Sequence, residues 1–113
     1  MKIDESLFDK AEFIKWLEAK ADDGIVGQAC DSQICPLANF IREEKKLYTT
    51  ISIDAAMITD GTAPMLPKTH RVWLPRWAQD FVWQIDGNSA EKKKAHYGNW
   101  ASVSKREALE VLK

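Results

Sequence analysis

Five tryptophans in a chain of 113 residues constrain its fold most, because each indole needs either a deep slot in a core or a reason to stay at the surface. Three of them, Trp73, Trp77 and Trp83, crowd into one short segment. There Pro75 suits a helix start, and Trp77, Phe81 and Ile85 recur every four residues with Ala78 and Val82 beside them. Trp83 does not share that stripe. At 100° per residue it stands about 160° from Phe81, so one helix face cannot bury all these large groups. Trp83 must therefore meet a second layer, another chain, a ligand or solvent.

Other local signals surround this segment. Asp9 predicts an N-cap with Glu12 answering three residues later, and Phe8 and Phe13 fit the flanking staple. Phe13, Ile14, Trp16, Leu17 and Ala21 make the apolar stripe of that first helix. Ile25–Val26–Gly27 reads as a very short extended segment after the turn at Asp22–Asp23–Gly24. Pro36 predicts the first turn of a second helix with Leu37, Phe40 and Ile41 inward. From Leu47 to Met57 alternate residues predict one extended run, with Thr49, Ile51, Ile53, Ala55 and Met57 on its inner face. Residues 59–68 read as a loop, and His70–Trp73 as a strand. Asp86–Gly87–Asn88–Ser89 predicts the end of the third helix, and Ser104 with Glu107 a capping box for the last one.

These elements imply a compact α+β fold, with three or four helices packed as one layer on a small, mainly antiparallel sheet. Its strands are expected near 48–54 and 69–73, with 25–28 and 99–103 as further members. The length fits a single domain spanning 1–113, able to bury roughly two-thirds of its unfolded surface. No apolar stretch is long enough for a membrane span and no leader pattern opens the chain, so a cytoplasmic protein without a membrane partner is expected.

Sixteen basic and seventeen acidic residues give a net charge of −1, which excludes a polybasic tail or an acidic nucleic-acid mimic. The charges are segregated along the chain: residues 1–56 hold seven basic and eleven acidic groups, and 57–113 hold nine and six. Such asymmetry can orient a partner, and it can equally intermix on one folded surface.

Chemistry-bearing motifs are sparse. Cys35 stands where helix amides would favour a thiolate, but Cys30 is five positions away and Asp31 lies between them. A thiol-dependent enzyme centred on Cys35 and Cys30 is therefore a distant alternative, and one or two reduced, buried structural cysteines are the simpler expectation. Cys30, Cys35, His70 and His96 lack the paired spacing of a zinc site. Gly24 and Gly27 form no phosphate loop, and no serine sits in a nucleophile context. No catalytic residue, metal or cofactor is assigned.

Lys92, Lys93 and Lys94, with Tyr97 and Trp100 nearby, place positive charge beside two stacking rings. This makes nucleic-acid binding through the 92–106 region the first alternative. The favoured reading is a non-enzymatic protein-binding or regulatory module that engages another protein or a second copy of itself. Trp73 and Trp83 are its expected anchors, and Arg71 and Arg76 its directional rim contacts. Self-association through the helix around Trp77 to Trp83 is one form of it.

Overall fold

A computed structural model describes residues 2–60, 68–96 and 98–113. After a short 3-10 turn at Glu5–Leu7 come α1 (Lys10–Glu18), β1 (Ile25–Gln28), α2 (Pro36–Lys45), β2 (Tyr48–Ile51), β3 (Ala55–Asp60) and β4 (Lys68–Trp73). The long α3 (Arg76–Lys94), then β5 (Ser102–Ser104) and α4 (Lys105–Val111), complete the order. The result is a compact α+β fold in which four helices pack against small antiparallel sheets.

The expected single sheet is divided in two. Among the described residues, β2, β3 and β4 form a three-stranded meander, while β1 pairs with β5 alone, interrupted by an irregularity between Ile25 and Gly27. All three pairings are antiparallel. Helix α2 packs on both β1 and β2, and the loop leading into it caps the edge strand β2, where Ile51 N donates to Ser32 O at 2.8 Å.

Local capping explains where helices start. Asp9 Oδ1 accepts from Glu12 N at 2.9 Å, and Ser104 Oγ accepts from Glu107 N at 3.1 Å, each satisfying an amide that lacks an intrahelical partner. The carboxylates of both boxes turn elsewhere, Glu12 to Lys45 at 2.8 Å and Glu107 to Lys92 at 2.6 Å. Pro36 is the first residue of α2, whereas Pro75 stands one position earlier than expected, as the N-cap of α3.

One core binds these elements. Phe13 is fully buried and meets Trp16, Phe40, Trp77 and Phe81, with ring centroids 5.2–5.8 Å apart. Most of these pairs are edge-on or tilted, as ring quadrupoles favour. α1, α2 and α3 thus converge on one aromatic side chain. The inner face of the meander adds Thr49, Ile51, Ala56, Ile58 and Val72 to the buried set.

Three sequence expectations fail for identifiable reasons. The extended run does not continue from Leu47 to Met57. Ser52 N and Oγ both donate to Ala55 O, at 2.8 and 2.9 Å, closing a hairpin. The turn shifts the inward parity of the following strand, so Ile53 and Met57 are exposed while Ala56 and Ile58 point into the core. The loop proposed over 59–68 is shorter, because β3 reaches Asp60 and β4 begins at Lys68, paired across the sheet. The remainder of that loop, 61–67, lies outside the described residues.

The third correction concerns α3, which passes through Asp86–Gly87–Asn88–Ser89 to Lys94. The three polar side chains have tertiary or i,i+4 roles there. Asp86 Oδ1 accepts from Cys30 N at 2.9 Å, Ser89 Oγ donates to Trp100 O at 3.0 Å, and Asn88 Oδ1 accepts from Gln84 at 3.1 Å. Gly87 keeps a negative φ rather than the left-handed conformation that would end the helix.

Candidate interaction surface

The meander has one face in the core and one open to solvent. Its register places Thr50 opposite Met57 and Met57 opposite Arg71, with Tyr48 opposite Thr59 and Ala55 opposite Trp73. Because strand side chains alternate between faces, Tyr48, Met57, Arg71 and Trp73 share the side opposite Ile51, Ile58 and Val72. Tyr48, Met57 and Trp73 are 53%, 42% and 56% exposed, well above what core-covered residues show. The Arg71 guanidinium lies 4.5 Å from the Trp73 ring centroid, so the cation and the indole present one joint surface. Arg42 similarly sits 5.9 Å from the Tyr48 ring while donating to Asn39 and Thr49 O.

Of the four interface residues expected from sequence, Arg71 and Trp73 are on β4 and belong to this face. Arg76 and Trp83 are on α3; Trp83 is 68% exposed and Arg76 Nε pairs with Asp80 at 3.0 Å. Trp16 is buried and donates its indole N–H to Glu43, and Trp77 donates to Phe8 O. Sequence reasoning missed Tyr48 and Met57. The missed signal was the Ser52–Ile53–Asp54 stretch, whose two short polar residues favour a turn.

The basic run is dispersed by the helix that carries it. Lys92, Lys93 and Lys94 point about 100° apart around α3. Lys92 is bound to Glu107 and Ser102 O, Lys93 lies 5.0 Å from the Trp100 ring, and Lys94 pairs with Glu91 at 3.6 Å. Tyr97, the other ring of that reading, lies outside the described residues.

The two thiols are free, Cys30 exposed and Cys35 buried. They border a small cleft of about 240 Å³ with Ile53, Val82 and Asp86. Burial pushes the Cys35 thiol up to about 11, overriding the amides of α2 that favour the thiolate. Cys30 is also raised, by desolvation and then by the Asp86 charge. Both groups are therefore predominantly protonated near neutrality, the wrong state for a nucleophile.

A larger cleft of about 610 Å³ separates α1 from α4 near Ile14, Glu18 and Leu109. Its Lys105 is held by Glu18 O, Lys20 O and Asp22 at 2.9–3.1 Å, so the charge closes the fold rather than awaiting a ligand. Among the described residues, no group of three or more His, Cys, Asp or Glu is placed to hold a metal ion, and no helix is long and apolar enough to cross a membrane. Comparison with protein-family models, curated proteins and solved structures found no match.

Proposed function

We propose that the protein is a non-enzymatic protein-binding module and that the open face of the β2–β3–β4 meander is its recognition surface. The carrying observation is the exposure of Tyr48, Met57, Arg71 and Trp73 together on that face. Tyr, Trp, Met and Arg are the types enriched in the centres of protein interfaces. A rigid sheet also presents them without the ordering cost of a loop.

Nucleic acid is a poorer fit to the same face. Backbone recognition needs several cations to neutralise phosphates, whereas Arg71 is the one basic group among these four residues and the chain's net charge is −1. Recognition would be steric, with Trp73 and Met57 supplying apolar burial and Arg71 setting orientation.

Affinity capture followed by quantitative binding tests this reading. A captured protein partner should bind Trp73→Ala at least tenfold more weakly, as for an aromatic hot spot, while the variant stays folded with at most a modest loss of thermal stability because the indole is more than half exposed. Equal binding by wild type and Trp73→Ala, or retention of nuclease-sensitive material alone, would overturn it.

A further inference from the structure

The structure points to a second interaction surface, on α3, whose occupant we propose is another copy of this chain. Asp80, Trp83, Gly87, Ala90, Glu91 and Lys94 are all exposed and form one strip along the helix. It lies opposite the line of Ala78, Phe81, Ile85 and Ser89 that enters the core. The strip is self-complementary for antiparallel pairing about a two-fold axis at Gly87. In such a pair each residue meets the one equally far beyond the axis on the other chain.

Asp80 and Lys94 each stand seven positions from Gly87. Pairing therefore sets Asp80 against Lys94 of the second copy twice, about 10 Å to either side of the axis. Trp83 falls between them, against Ala90 and Glu91 of the second copy, where its ring is covered and its N–H faces a carboxylate. The present intrachain partners are exposed: Asp80 with Arg76 at 3.0 Å and Lys94 with Glu91 at 3.6 Å. Such exposed pairs contribute little to stability, so they exchange readily.

Gly87 fits the same geometry. A glycine inside an exposed helix destabilises it, yet among the described residues nothing lies within 4 Å of where its Cβ would be, so no described neighbour in its own chain requires it. On the axis, the missing Cβ lets two backbones approach. Sliding the pairing by three residues would bring Asp80 against Glu91, a like-charge contact that disfavours that register. One helix face is a small interface, so the dimer should be reversible.

Sedimentation equilibrium across a concentration series tests the pairing. Wild type should dimerise. Trp83→Ala, Asp80→Lys and Lys94→Asp should each raise the dissociation constant roughly tenfold or more. An equimolar mixture of Asp80→Lys with Lys94→Asp should regain dimerisation, because each reversed charge then faces its opposite. This inference is independent of the sheet face, so Trp73→Ala should dimerise like wild type. A monomer up to about 1 mM, a dimer indifferent to Trp83→Ala, no rescue in the mixture, or loss of the dimer in Trp73→Ala would each overturn it.

Discussion

At the residue scale, burial and position compete at Cys35. The side chain sits at the N-terminus of α2, where backbone amides favour negative charge, yet removal from water dominates and the thiol is held near 11. Alkylation at neutral pH should modify Cys30 and leave Cys35 intact until the protein unfolds, which mass spectrometry of the labelled peptides would check. A folded-state value raised from 9.0 also means that stability contributed by the protonated thiol is complete below about 9 and is lost as pH rises through about 11. The sequence placed Cys35 beside a helix start and made a buried, reduced thiol the simpler expectation, but which of the two cysteines is buried is decided by residues from other elements.

At the scale of elements, two glycines have opposite roles. Gly27 in β1 lies so close to the start of α2 that a Cβ would come within 2.6 Å of Pro36 N and 2.7 Å of Ile34 O. Gly27→Ala should therefore cost roughly 1–3 kcal/mol. Gly87 is an open helical position, and Gly87→Ala should stabilise the monomer by about 0.5–1 kcal/mol. Chemical denaturation in dilute solution would measure both. The starts of α1, α2 and α4 were legible because caps and Pro36 act within a few residues. The end of α3 was not, because the partners that engage Asp86 and Ser89, Cys30 N and Trp100 O, come from outside the helix.

For the whole molecule, α1 and α2 are joined outside their aromatic contact by Glu43. It accepts from Lys20 at 2.6 Å and from Trp16 Nε1 at 3.2 Å. Burial, the largest single influence, raises its affinity for a proton, but the two hydrogen bonds together with the charges of Lys20 and Lys46 outweigh it and hold the carboxyl below its usual range. The lowered folded value means that the stabilisation is present above the unfolded value and is lost as pH falls through the folded one. Glu43→Ala should cost about 1 kcal/mol at neutral pH, a modest effect because the side chain is half exposed. The difference from wild type should shrink in acid, as thermal unfolding at several pH values would show.

Composition, caps and periodicity are local properties, and they carried the α+β class, the helix starts and the inability of one helix face to bury Trp83 together with Trp77, Phe81 and Ile85. They also marked Trp73 and Trp83 as surface residues in need of an explanation. The hairpin at Ser52–Asp54 that turns Met57 outward, to share a face with Tyr48, Arg71 and Trp73, became visible only in the folded chain. The tertiary structure likewise carried α3 past Gly87, bringing Asp80 and Lys94 onto one helix. Both outcomes depend on hydrogen bonds and packing between residues far apart in the chain, to which short-range patterns are blind.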